Sequence, residues 1–319
     1  MLKYLIGFIF CASAAVAGAE QFPDRPITLV VPFSPGGTSD VTARPLAEIM
    51  SQNLGQSIIV QNKPGAGGAI GMAHATKAKP DGYTLLMALP SISIIPAADR
   101  VSGRTPLYSQ SQLEPIARIT ADPTVFAVHA SSPWKTLDDF VQDAKKNPGK
   151  ISYSTSGIYG TTHIAMEMFA QAANIKLLHA PYPGGGQQVM AVVSQDVQST
   201  PQALAPLLPH IKSGKLRVLA VWGSERLSAL PDVPSMKELG YDVQFQLWTG
   251  IFVPTGTPTN VINRLRDSVR KAVHDPKFVS ILTTMQTPIQ YLDTDEFKKF
   301  LAVDSSRLEA SVINMGKLQ

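Results

Sequence analysis

The sequence predicts an α/β protein of two domains, and three observations carry that prediction. Short apolar runs alternate with amphipathic stretches of helical period along most of the chain. Between them lie loops that concentrate the 23 glycines and 25 prolines. At 319 residues and 44% hydrophobic content, the chain exceeds the usual single-domain length and can bury a sizeable core.

The elements follow in order. Residues 27–33 (ITLVVPF) form a continuous apolar run, the pattern of a strand buried on both faces. The run stops at Ser34-Pro35-Gly36-Gly37, and Thr38-Ser39-Asp40 opens a helix predicted to about residue 53. Thr38 or Ser39 is the expected N-cap, with Asp40 complementing the positive helix end. Residues 58–61 are a second strand, followed by Pro64-Gly65-Ala66-Gly67-Gly68 and a helix to about residue 79. Pro80-Asp81-Gly82 turns into a third strand at 84–88. Strand–loop–helix units of this length predict a largely parallel sheet. Residues 92–112 read as a polar, irregular surface loop, and 116–130 as strand-rich, with 125–128 crossing into the second domain. There, 137–146 is a helix, 151–154 a strand and 163–173 a helix. Residues 176–180 are a strand, 187–194 and 204–212 helices, and 216–221 a strand. The segment 247–253 returns the chain to the first domain, which helices at 260–274 and 295–314 close. The expected division is 1–19 as a signal peptide, 20–124 with 248–319 as a discontinuous first domain, and 125–247 as the second.

The formal charge of +4 is spread without a basic block, unlike the clustered Lys and Arg of a nucleic-acid binder. One cysteine, Cys11, excludes a disulfide framework and a Cys-ligated metal site. Residues 1–20 carry Lys3, an apolar stretch and two A-x-A patterns, the anatomy of a secretory signal cut after Ala19. Phe10 before Cys11 argues against a lipoprotein, and cleavage would remove Cys11, leaving a cysteine-free chain suited to the periplasm. No later apolar segment reaches the ~18 residues of a membrane span.

Enzyme motifs fail on inspection. The segment Gly65-Ala66-Gly67-Gly68-Ala69-Ile70-Gly71 puts Ile70 where the third glycine of a dinucleotide fingerprint belongs. Ser132-Pro133-Trp134-Lys135 matches S-x-x-K, but Pro133 spoils the turn that would bring Lys135 back to Ser132. The six histidines show no metal-ligand spacing; His163 alone, at a polar loop opening a helix, is expected near a ligand. The expectation is therefore a binding protein, with no catalysis, metal or cofactor.

Three loops carry the binding expectation: 34–38, 154–162 and 183–186. Each follows a strand read as buried and leads into a helix start. Ligands of open α/β sheets sit at such places, where unpaired N–H groups and the helix dipole favour an anion. Glycine permits close approach and Ser or Thr adds hydroxyl donors.

Several ordered segments together resemble the Bug-type receptors, the solute-binding proteins of tripartite tricarboxylate transporters. They include Pro32-Phe33-Ser34-Pro35-Gly36-Gly37-Thr38-Ser39-Asp40, Asn62-Lys63-Pro64-Gly65-Ala66-Gly67-Gly68 and Pro80-Asp81-Gly82-Tyr83-Thr84. Tyr182-Pro183-Gly184-Gly185, Pro209-His210-Ile211-Lys212, Leu230-Pro231-Asp232-Val233-Pro234 and Pro254-Thr255-Gly256-Thr257-Pro258 complete the set. The resemblance covers essentially the whole chain after the signal. It implies a two-lobed periplasmic-binding-protein fold of type II, with the ligand cleft between lobes that close like a flytrap. It also implies delivery of a small organic carboxylate, held by backbone groups, to membrane permease subunits. Carried over by position, Pro35, Gly36, Gly37, Thr38 and Asp40 form one wall, and Ser91 lies near the end of the third strand. Ser154, Thr155, Ser156, Gly157, Thr161, Thr162 and His163 form the facing wall, with Pro183, Gly184 and Gly185.

Two departures bear on the substrate. Gln202 stands where many members carry an Asp suited to a ligand amine, and Tyr159 replaces a small or amide residue. Tyr159 with Phe33 and Trp248 could line an aromatic pocket, so a dicarboxylate or aromatic carboxylate without an amine is expected. The partners expected are that ligand and the permease, with no nucleic acid, for a monomeric receptor. A ligand-sensing periplasmic subunit for a membrane sensor kinase, or a secreted hydrolase, are the alternative readings.

Overall fold

The computed structural model describes residues 22–317, and the expected signal segment with Cys11 lies outside them. In chain order the first elements are β1 (Ile27–Val31), α1 (Thr38–Leu54), β2 (Ile58–Asn62), α2 (Ala69–Thr76), β3 (Thr84–Ala88) and α3 (Ser91–Val101). The long strand β4 (Leu113–Pro123) follows, then β5 (Val125–His129), α4 (Leu137–Lys146), β6 (Ser152–Thr155) and α5 (Thr161–Ala173). Next come β7 (Leu178–Pro181), α6 (Gly185–Val193), β8 (Ser199–Gln202), α7 (Leu204–Lys212) and β9 (Leu216–Val221). The chain ends in β10 (Gln246–Pro254), α8 (Thr259–Val273), α9 (Pro276–Thr284), β11 (Ile289–Leu292) and α10 (Thr294–Met315).

Two sheets organise these elements into two lobes. One has the order β11-β4-β10-β3-β1-β2 and the other β7-β6-β8-β5-β9. Both are mixed rather than largely parallel: β10 runs antiparallel to β3 and β4, and β5 antiparallel to β8 and β9. The antiparallel strands arise where the chain changes sheet. β4 leaves the first sheet at Pro123 and enters the second as β5 after a single residue, Thr124. After β9, residues 222–245 carry the chain back to β10.

The continuous apolar run of β1 is explained by cover on both faces. Ile27, Leu29 and Val31 pack with α1 and α8 residues such as Leu46, Met50, Leu265 and Val269. Val30 points the other way, into the cluster holding Met72, Ile92 and Ile95. That second cluster contains the main departure from the sequence reading. Residues 92–112 are not a loop at their start: α3 is a helix buried nearly all round, with Ile92, Ile94, Ala97 and Ala98 inside. Pro96 and the serines disguise it, although a helix core can carry Ser when the hydroxyl finds a partner, as Ser93 does with Gln110 at 3.0 Å. α9 and β11 were also not expected.

Candidate ligand-binding site

The lobes meet along two seams of bare backbone. At the first, a Cβ on Gly37 would lie 3.1 Å from the Gly185 Cα, and one on Gly184 would lie 2.5 Å from the Ser34 nitrogen. A Cβ on Gly186 would overlap the Pro35 carbonyl oxygen. At the second seam, a Cβ on Gly67 would sit 2.8 Å from the Ile158 oxygen, and one on Gly157 would sit 2.7 Å from the Gly67 nitrogen. Gly67 has φ +66° and Gly157 φ +124°, so both the space and the backbone conformation there require glycine.

Beside the seams, four helix N-termini converge. α1 and α3 come from the first lobe, α5 and α6 from the second. The Ser91 N–H of α3 donates to Thr161 Oγ1 of α5 at 3.1 Å, and Thr38 of α1 donates from Oγ1 to Gln202 Oε1 at 3.0 Å. Thr38 therefore does not cap α1, as the sequence suggested; its hydroxyl spans the cleft, and the N-cap position is Gly37 with no side-chain cap. The first N–H groups of each helix have no intrahelical acceptor, and each dipole places about half a positive charge at this end. The Ser39 and Ser91 hydroxyls are buried and have no hydrogen-bond partner. Together these groups make a positive potential that needs no lysine or arginine.

A buried polar lattice ties the second-lobe wall together. Gln188 of α6 donates to Thr200 Oγ1 at 2.8 Å and to the Pro201 carbonyl at 2.5 Å, while its Oε1 accepts from Thr162 at 3.3 Å. Thr162 Oγ1 in turn accepts from the Ser156 N–H at 3.0 Å, and Ser154 donates to the Gln188 carbonyl at 2.9 Å. Gln202 Oε1 takes the Ala203 N–H as well as Thr38, so its oxygen is fully used.

Behind this wall His163 and His179 stack with centroids 3.8 Å apart and planes within 8°. His163 Nδ1 accepts the Tyr159 N–H at 2.9 Å, and His179 Nε2 pairs with Thr155 Oγ1 at 2.6 Å. Burial, then the neighbouring His179, holds His163 well below its ordinary pKa, and burial pushes His179 down to about 4. Both rings are thus neutral near pH 7. Tyr153 donates to Glu167 at 2.5 Å beside them, and burial raises Glu167 above the usual carboxylate value. His163, expected near a ligand, is 1% exposed and holds the Tyr159 loop through its Nδ1.

Other expected residues are placed differently as well. Asp40 accepts the Gly36 N–H at 3.1 Å, both Arg44 donors and Asn62 Nδ2 at 2.9 Å, so it shapes the Gly36 turn. Burial alone would raise its carboxyl; the hydrogen bonds from Arg44, Asn62 and Gly36 outweigh this and hold it low. Phe33 packs against Gly68 and Met72, and Trp248 bonds Asp304 at 2.8 Å under α10 with Phe297 and Phe300. Both are core residues, which corrects the aromatic pocket drawn from them. Tyr159 and Pro183 line a cavity at the cleft mouth. The strand before Pro183, β7, is a half-exposed edge strand rather than a buried one, and Gly185 belongs to α6 itself. Sequence reasoning passed over Gln188 and His179, and it did not give Gly67 or Gly186 a role in the seams, although Gly186 ends the third binding loop and Gly67 stands in a segment that carries the family resemblance. Gln188, polar on an otherwise apolar helix face, was the one readable signal for the lattice.

Known proteins bear on this arrangement. A profile of the family described as "Tripartite tricarboxylate transporter family receptor" matches residues 42–317. Protein BugT of Bordetella pertussis is 31% identical over 316 residues, covering 97% of this chain and 95% of BugT. The structure of the periplasmic binding protein BugD aligns with a TM-score of 0.87 at 29% identity, covering 92% of this chain and 99% of BugD. MatC from Rhodopseudomonas palustris, solved with bound malate, aligns at 0.86 and 26% identity, covering 91% of this chain and 100% of MatC. R. palustris Rpa4515, solved with adipate, does so at 0.86 and 26%, covering 92% of this chain and 98% of Rpa4515.

Proposed function

The chain belongs to the tripartite tricarboxylate transporter receptor family of periplasmic solute-binding proteins, and we propose that it captures a small organic carboxylate by lobe closure. The captured ligand is passed to the membrane permease of a tripartite tricarboxylate-type transporter. One observation carries the ligand class: four helix N-termini from both lobes meet beside two glycine seams, with buried serine hydroxyls, while Arg44 in the second turn of α1 is engaged by Asp40 and His163 is held neutral. A carboxylate is matched by such a site because fixed N–H dipoles neutralise it without burying an unpaired cation. Relatives solved with malate and adipate support the same class. The neutral Gln202, its oxygen already occupied, offers nothing to a ligand ammonium, which favours a dicarboxylate or aromatic carboxylate over an amino acid.

Closure rotates residues 125–247 against 20–124 and 248–319 about Thr124 and the start of β10. The ligand's negative charge draws α1 and α3 toward α5 and α6, and the seams stop the motion. Export after removal of residues 1–19 would deliver the receptor, as a monomer, to the periplasm. Mass spectrometry of ligand released from protein purified in native form is the test: a carboxylic acid is expected. A thermal-shift screen in which only amino acids raise the melting temperature would refute the carboxylate assignment.

A further inference from the structure

Beside the seams, a cavity of about 650 Å³ opens between the lobes. It shares Gly157, Tyr159 and Pro183 with the cleft loops, so it continues outward from the wall that ends in α5. Its size falls within the ~300–1,000 Å³ of small-molecule sites, and it is bounded by both lobes, so it is complete only when Gly67 meets Gly157.

The chemistry of the walls is one-sided. Leu107 from the first lobe and Ile158 from the second are 58% and 53% exposed, and both line this cavity. Tyr159 and Tyr182 add aromatic surface. The charged residues present, Asp99 and Arg104, are spent on each other: Arg104 Nε donates to Asp99 Oδ1 at 2.9 Å, and its N–H to the Asp99 carbonyl at 2.8 Å. A second carboxylate placed here would meet mostly apolar surface, and the one guanidinium present, Arg104, is half-exposed and already shares its charge with Asp99, so it would repay little of the lost hydration. An apolar body would instead cover two large side chains that are otherwise left to water.

We infer that this cavity holds the uncharged aromatic or alicyclic body of the same ligand whose carboxylate docks at the helix N-termini. The inference rests on the carboxylate reading and narrows it: the ligand is an apolar-tailed monocarboxylate, not a short dicarboxylate. Leu107 and Ile158 are the specificity-determining residues, one from each lobe, and the tail they grip helps hold the lobes together.

Isothermal calorimetry with propanoate, 3-phenylpropanoate and succinate tests this on the wild-type chain and on the Leu107→Ser/Ile158→Ser double variant. Both side chains are exposed, so the melting temperature of the variant should match wild type. The expected result is 3-phenylpropanoate binding at least about tenfold tighter than propanoate or succinate. In the double variant that gain falls below about threefold while propanoate affinity is unchanged. Succinate as the tightest of the three, or a gain that survives the double variant, overturns the inference and leaves the carboxylate reading standing. Silence from all three acids, with a ligand of another class recovered by mass spectrometry, removes both.

Discussion

His163 and His179 are held face to face at 3.8 Å, a geometry that suits two neutral rings and resists two cations. The folded state depresses both pKa values, so stability is fully present above the ordinary histidine value of about 6.5 and is lost as pH falls. For His179 that loss runs from about 6.5 to about 4. Protonating Nδ1 of His163 also removes the acceptor of the Tyr159 N–H and so loosens the loop beside α5. Ligand affinity of the folded protein should therefore hold from about pH 6.5 down toward about 4 and drop only there, where the buried rings take up protons, whereas stability declines across the whole range. His179→Gln should flatten the acid limb of the melting curve. An unchanged limb would place the acid-sensitive group elsewhere. Thr38 offers a cleaner single contact. Thr38→Val keeps the shape and removes the hydrogen bond across the cleft, so affinity should drop roughly fivefold, about 1 kcal/mol, with little change in melting temperature. Sequence alone flagged both His163 and Thr38. It placed both at the ligand wall, and offered Thr38 as a helix cap besides, because it could not see that Tyr159 and Gln202 stand opposite them.

The α6 helix shows what an element can reveal that a residue list cannot. Gly186 lies in its first turn, where alanine would ordinarily stabilise a helix by roughly 0.4–1 kcal/mol. Here the added methyl collides with the Pro35 carbonyl of the other lobe. Gly186→Ala should thus preserve or raise the melting temperature while weakening ligand binding at least about tenfold. Normal affinity in that variant would show that the seam is not part of the bound state. Gly36, at φ +83°, is a poorer probe because any side chain there is strained whatever the lobes do. Legibility of the elements followed the clarity of their signals. The β1, α4, α7 and β9 spans carry clean apolar runs or amphipathic period, and the expected bounds match the observed ones closely. α3 was missed because its buried first eight residues include two serines and Pro96, so the serines read as a polar loop and Pro96 as a breaker although both serines lie inside. The seams were unreadable too, since the contact of Gly67 with Gly157 joins residues 90 positions apart in sequence with no side chain to mark it.

Across the whole molecule, the two lobes are joined beside a buried carboxyl that is held in its neutral, protonated form. Asp122 is fully buried one residue before Pro123, where β4 ends; neither of its oxygens has a hydrogen-bond partner. Burial lifts its carboxyl to about 8, and the Thr120 hydroxyl, turned to Thr249 at 2.8 Å, lowers it only in part. The folded state thus binds a proton that the unfolded chain gives up near pH 4. Stability from this group is full below that pH and declines as pH rises through 8, by an amount on the order of a few kcal/mol. Asp122→Asn should remove this decline, so that melting temperatures at pH 5 and pH 8 draw together. A gap that persists in the variant would assign the alkaline loss to another group. Scattering should report a smaller radius of gyration when ligand is added, and the pH dependence of that change should follow Asp122 if the hinge hydrates on opening. The two seams have a further consequence for the molecule as an instrument. Because they are backbone against backbone, they fix the closed spacing of the lobes regardless of what lies between, and so act as a gauge. On the proposed closure, a solute would be judged by whether the jaws can shut upon it: an oversized one would leave the gap ajar, and a partner reading the shut form would receive a graded answer rather than a yes or no.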